Sequence, residues 1–166
     1  ELLLALKKAT PGLRLSLGVS TFVPKAHTPF QWQGVRPEAE KRLKLLAKRL
    51  KPKGIELRPE SYGWSVIQAL LSRSDRRLAP VIAAARGRHE SLGGWKQAYR
   101  AVREGDASGS DPLPPPWEEV IHASWGGEQV LPWEHLEGPT QTNPAQASAG
   151  SPGLALPQRN PASNTQ

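Results

Sequence analysis

Neither cysteine nor methionine occurs among the 166 residues of this chain. Without cysteine the chain itself forms no disulfide, offers no thiolate to zinc and ligates no iron–sulfur cluster. Methionine is missing even at the start. Residue 1 is Glu1, followed by Leu2, Leu3, Leu4, Ala5 and Leu6, a run that reads as mid-helix. The expectation is a chain that begins inside a larger protein. Long apolar runs are absent too. None approaches the ~18 residues of a membrane span, and the apolar opening is too short for a signal peptide and lacks its basic start. A cytoplasmic location without membrane contact is therefore expected. Core-forming residues are scarce, at 37% hydrophobic, whereas 17 prolines and 15 glycines break the chain often. Part of it is expected to be disordered on that ground.

Charge is present in quantity and unevenly spread around a net +7. Residues 1–53 hold 12 Lys and Arg against 3 Asp and Glu, residues 54–103 hold 9 against 4, and residues 104–166 hold 1 against 8. A basic body with an acidic C-terminal part offers a surface to RNA or another polyanion. The plainer reading is a set of lysine-rich helix faces turned to water.

Residues 1–9 read as a helix stopped by Thr10-Pro11-Gly12. From 13 to 23 the pattern alternates: Leu13, Leu15, Leu17, Val19, Thr21 and Val23 on one face, and Arg14, Ser16, Gly18, Ser20 and Phe22 on the other. Strict period two predicts a strand, and the small second face suits a surface that a ligand approaches closely. After a loop, Pro37 opens a helix whose apolar stripe is Ala39, Leu43, Leu46, Ala47 and Leu50. Residues 55–58 read as a short strand. Three helices follow over about 61–71, 75–86 and 91–103. Trp64, Ile67, Leu70 and Leu71 are expected inside in the first, and Leu78, Val81, Ile82 and Ala85 in the second, where Pro80 is a point of bend or restart. Trp95, Ala98, Tyr99 and Val102 form the third stripe. Three tryptophans (Trp117, Trp125, Trp133) without a period mark an irregular arm over 117–138, and residues beyond it read as a disordered tail.

Three segments together resemble a known family. Residues 18–32 (GVSTFVPKAHTPFQW), residues 72–77 (SRSDRR) with Gly93-Gly94-Trp95 downstream, and residues 131–136 (LPWEHL) are similar, in order and spacing, to the C-terminal part of radical SAM proteins with a cobalamin-binding N-terminal domain. The resemblance covers roughly residues 1–138. It departs at Ser74, where glycine is usual, and at Pro80 inside a helix. It implies an α/β fragment made of the last strand and helix of a partial (β/α) barrel, then a small helical subdomain, the irregular tryptophan arm and the tail. The expected division is 1–58 for the end of the barrel, 59–104 for the helical subdomain, 105–138 for linker and arm, and 139–166 for the tail.

The resemblance implies a parent enzyme with a 4Fe-4S cluster on a C-x-x-x-C-x-x-C loop, S-adenosylmethionine and, in this family, cobalamin. None of those cysteines is in this chain. The expected role is therefore to close the barrel and contribute to the wall around S-adenosylmethionine or substrate, inactive alone, with no cofactor bound by this chain itself. The partner implied is the missing N-terminal part of the same protein.

Chemistry in a (β/α) barrel sits at the carboxyl ends of strands, which makes Ser20, Phe22, Val23, Lys25 and His27 candidates for that wall. Lys25 suits a carboxylate or phosphate, and is equally an ordinary surface lysine. His27 is a proton donor or a shaper of the loop. Phe22 and Phe30 sandwich an adenine, or pack in a core. Arg73, Arg76 and Arg77 at a helix start are candidates for an anion, or for ion pairs within the protein. His122 and His135 have no third ligand at a metal-binding spacing, and the adjacent Glu118 and Glu119 diverge rather than pair. No catalytic residue and no metal ligand is assigned. Against the enzyme-fragment reading stand two others: a nonenzymatic basic RNA-binding module, for its charge and its interleaved arginines and aromatics, and a protein-interaction adaptor docking through the tryptophan arm.

Overall fold

A computed structural model describes residues 1–105 and 112–136. The tail expected over 139–166 lies outside the described residues. Within them the chain is mixed α/β. Six helices run with one two-stranded parallel sheet, in the order α1 (Leu2–Ala9), β1 (Ser16–Val19), α2 (Glu38–Leu50), β2 (Glu56–Pro59), α3 (Tyr62–Arg73), α4 (Ala79–Ala84), α5 (Leu92–Gly105) and α6 (Trp117–Ile121).

The β1–α2–β2 unit follows from the pattern of its residues. Leu15, Leu17 and Val19 are half-buried while Ser16, Gly18 and Ser20 are exposed, so the alternation places the apolar face of β1 inward. β2 pairs with it in parallel, Ser16 with Glu56 through Val19 with Pro59. The ladder is framed by Glu56 N–H donating to Leu15 O (3.0 Å) and Glu60 N–H donating to Val19 O (2.9 Å). Parallel strands need a long crossover, and α2 supplies it, packing on β2. A 3₁₀ turn, Lys51–Lys53, and the left-handed Gly54 (φ 67°) bring the chain from helix to strand.

Two expectations are corrected here. Pairing spans only Ser16–Val19, not 13–23. The alternation runs on, with Thr21 buried and Phe22 exposed, but β2 ends at Pro59, and Ser61 already caps α3 through the Trp64 N–H. The strand begun near Leu13 is also not the last of the sheet, because β2 lies beside it.

The helical part holds the main core. Val66, Ala69 and Leu70 of α3, Leu78, Val81 and Ala85 around α4, Trp95, Ala98 and Tyr99 of α5, and Val120 and Ile121 of α6 pack together with Val35 from the loop after β1. Pro80 sits in the first turn of α4, where a missing N–H costs nothing; the expected single helix over 75–86 is thus a 3₁₀ turn, Arg76–Leu78, followed by a fresh start. Trp64 (52% exposed), Leu71 (48%) and Ile82 face outward, contrary to expectation. The cause is helix phase: the buried side of α3 includes Arg73, a residue that an apolar pattern does not count as core. No helix among the described residues is long and apolar enough to cross a membrane.

Candidate functional site

A buried amide organises the loop that leaves β1. Gln31 Oε1 accepts the His27 backbone N–H (3.0 Å) and the Trp133 indole N–H (2.8 Å). His27 stands in the left-handed region, φ 57°, uncommon for a residue with a side chain, and the bond from its own amide helps hold it there. Thr28 Oγ1 donates to Lys25 O (2.8 Å), tightening the same turn. The arm closes over the loop: Trp125 N–H donates to Trp32 O (2.8 Å), Trp125 Nε1–H to Glu119 O (3.1 Å), and the rings of Trp125 and Trp133 lie 6.0 Å apart. Behind them Val35 N–H donates to Ile121 O (2.8 Å) and His122 Nδ1–H to Val35 O (2.6 Å). This approach needs Gly34, where a Cβ would stand 2.1 Å from His122 O. His122 therefore fastens the arm to the loop.

At the carboxyl end of β1 the loop and α2 enclose a groove of about 670 Å³. Ser20, Thr21 and Phe22 come from the strand end, Phe30, Gln33, Gly34 and Arg36 from the loop, and Ala39, Arg42, Leu43 and Leu46 from α2. Phe22 (55% exposed) and Phe30 (57%) meet edge to face with centroids 5.6 Å apart. Thr21 is buried, and its hydroxyl has no hydrogen-bond partner. Of the wall candidates, Ser20 and Phe22 line this groove. Val23 packs against the main core instead. Lys25 is exposed and His27 half-buried; neither lines the groove.

The three arginines do not act as one cluster. Arg73 is almost wholly buried. Its Nη1 donates to Ile121 O (3.0 Å), its Nη2 to Ala123 O (2.9 Å), and its guanidinium lies 3.9 Å from the Trp125 ring centroid. Burial pulls its pKa down to about 10. Arg77 grips Asp75, Nε to Oδ1 at 2.9 Å and Nη2 to Oδ2 at 2.6 Å. Those hydrogen bonds hold the Asp75 carboxyl below its usual range and raise Arg77. Arg76 alone is exposed. A second hollow, about 960 Å³, lies between this turn and the arm, and it mixes the arginines with Asp75, Glu119 and Glu134. His135 borders it, and Glu118 reaches His122 at 3.9 Å.

Sequence reasoning missed Gln31, Thr21 and the pairing of Arg36 with Arg42 on one groove. Gln31 sits inside the 18–32 segment singled out in the sequence, so its neighbourhood was flagged without its role. Arg36 and Arg42 lie six positions apart across a helix start, and nothing in their spacing signals convergence.

The iron–sulfur cluster that the resemblance implies does not fit this chain. There is no cysteine, and among the described residues no three His, Asp or Glu side chains gather as a metal site. No step is derived through it. Comparison with known proteins gives one partial likeness. The chain is 30% identical over 80 residues to an uncharacterized protein of Methanocaldococcus jannaschii, a match covering 48% of this chain and 18% of that protein. The chain thus spans less than a fifth of that relative's length. No family model and no solved structure matches.

Proposed function

We propose that the chain is the C-terminal segment of a radical SAM enzyme, completing its barrel and supplying part of the wall around S-adenosylmethionine or substrate, and inactive on its own. The observation that carries this reading is the two-stranded parallel sheet with one face open. α2 lies on the sheet through β2, while Ser16, Gly18 and Ser20 stay exposed on the other face with Glu56 and Arg58 beside them. Parallel sheets are stable when both faces are covered. A parallel pair with one exposed polar-and-small face supports the reading that it belongs to a larger assembly in which that face is covered. The groove at the carboxyl end of β1 lies where ligands bind in βα architectures. The matched segments at 18–32, 72–77 and 131–136 point to the same family.

In this reading the chain's own residues bind and position. Ser20, Phe22 and Phe30 shape the wall, Gln31 and Trp133 fix the loop, and Arg73 ties the arm to the helical part. Lys25 and His27 stand on the same loop as contacts for the missing part or for substrate. The implied 4Fe-4S cluster, S-adenosylmethionine and cobalamin belong with the N-terminal part, which is the proposed partner. The basic RNA-binding module remains a second reading, favoured by one feature: Lys41, Arg42, Lys44, Lys48 and Arg49 are all exposed along α2.

The test begins with the coding DNA upstream of Glu1. A continuous or adjacent reading frame with C-x-x-x-C-x-x-C is the expected result. That polypeptide, produced together with this chain and reconstituted anaerobically, should release 5′-deoxyadenosine from S-adenosylmethionine when reduced. A ribosome-binding site and start codon immediately before Glu1, or a joined protein that cleaves no S-adenosylmethionine, overturns the enzyme reading and leaves the RNA-binding one.

A further inference from the structure

We infer that the groove between the end of β1 and α2 binds a nucleotide, with the base stacked on an exposed phenylalanine ring and the phosphate held by the groove's arginines. This deepens the reading above by naming a ligand class, and its residues all come from this chain.

Four observations converge. Phe22 and Phe30 are each more than half exposed, yet they stand as a pair 5.6 Å apart at the rim of one concavity. Exposed aromatic rings held beside a hollow are the platform on which a base stacks. Arg36 and Arg42 enter the same groove, and no carboxylate lines it. Neither arginine is ion-paired among the described residues. The acidic residues of α2 do not line the groove, and Glu40 holds Lys44 at 2.7 Å. Two guanidinium groups that line one groove, one from the loop and one from α2, without an ion pair among the described residues, fit a phosphate, which arginine grasps through several N–H donors at once.

The third observation is Thr21. Its hydroxyl is buried beside the groove without a partner. An unmade hydrogen bond in a buried place is costly; the hydroxyl has no exposed surface, so a ribose hydroxyl or base edge reaches it only as the strand end shifts on binding. The fourth is apolar: Leu43 and Leu46 of α2 also line the hollow, Leu46 in part exposed. They offer a flat ring a second surface to cover. A volume of about 670 Å³ lies within the range of ligand pockets, about 300–1,000 Å³. The larger hollow by the arm lacks this logic, because three carboxylates line it and Asp75 already holds Arg77.

A free mononucleotide and a nucleotide within a single RNA strand share this chemistry. The experiment measures binding of adenosine 5′-monophosphate by calorimetry, and of a short fluorescent single-stranded oligoribonucleotide by anisotropy, to the full chain. Phe30→Leu and the double variant Arg36→Gln/Arg42→Gln are compared with Lys48→Gln/Arg49→Gln on the same helix outside the groove. All five side chains stand at exposed positions. Circular dichroism checks that each variant keeps its helices. Phe30→Leu should weaken binding about tenfold through lost stacking, and the groove arginine pair about tenfold or more, while Lys48→Gln/Arg49→Gln changes mononucleotide affinity less than about twofold. Binding of both probes marks the groove as a general nucleotide site. RNA binding without mononucleotide binding, still lost on Phe30→Leu, marks RNA as the source. The inference is overturned if neither probe binds, if Phe30→Leu binds as tightly as the unaltered chain, or if the Lys48/Arg49 variant loses as much as the groove pair. Cleavage of S-adenosylmethionine plays no part in these readings, so a failure here leaves the enzyme reading standing, and the reverse.

Discussion

Arg73 shows how one residue can hold a fold while looking like a binding group. In sequence it stands with Arg76 and Arg77 as a basic cluster. In the structure its two Nη groups hold the carbonyls of Ile121 and Ala123, ending the short α6 and starting the arm. Its face covers the Trp125 ring. A planar fork can donate to two carbonyls and stack at once, and a lysine ammonium cannot. Arg73→Lys is therefore expected to lower stability by about 2 kcal/mol, the order of a charge-assisted hydrogen bond lost from a buried place, as read from the midpoint of urea unfolding. Arg76→Lys, at an exposed position, should stay within about 0.5 kcal/mol. Equal effects from the two would show that Arg73 is no more structural than its neighbour. The cluster was legible as charge and illegible as structure, because burial of an arginine depends on carbonyls 48 and 50 positions away. Gln31 is hidden in the same way, its indole partner lying 102 positions further on.

Among the elements, legibility followed the range of the forces that build them. α2 has its stripe at three-four spacing and a proline at its start, all within one short stretch, and it forms at Glu38–Leu50. α5 forms at Leu92–Gly105 and buries Trp95, Ala98 and Tyr99, as its stripe predicts. β1 shows its alternation plainly, but where pairing stops is set by the end of β2 and the Ser61 cap that starts α3, which local pattern cannot reveal. The arm has no period because its three tryptophans are placed one by one, on Tyr99, on Arg73 and on Gln31. α3 is the instructive miss. Leu70 is wholly buried and Leu71 is 48% exposed, although both belong to the stripe the sequence suggests. Leu70→Ala should cost about 2–5 kcal/mol by opening a cavity, and Leu71→Ala less than about 1 kcal/mol, in thermal or urea unfolding of each single variant. If Leu71→Ala proves as damaging as Leu70→Ala, the phase of α3 is wrong, and with it the burial of Arg73.

At the scale of the molecule, the sheet has two edges of different character. Leu15 O and Val19 O face β2, and backbone groups alternate along a strand, so the amides of Ser16 and Gly18 point away from it. That edge has no proline, no side chain larger than serine on its exposed face, and no strand paired with it among the described residues. The outer edge of β2 carries Pro59, opposite Val19, which has no N–H to give and blunts pairing. Of the two edges, the one on β1 is the better suited to accept a further strand. If the proposed barrel adds its strand at this edge, hydrogen exchange at the Ser16 and Gly18 amides should slow by a factor of about 100 or more when this chain is joined to its proposed N-terminal part, since those groups pass from solvent into a ladder. Leu17 N–H, which faces β2 in either state, should change far less. Exchange measured by mass spectrometry on the chain alone and on the joined protein gives the comparison. Unchanged exchange at Ser16 and Gly18 in a joined protein that is otherwise protected would mean that the sheet ends at β1, and that the parent enzyme, if there is one, closes its barrel without this chain.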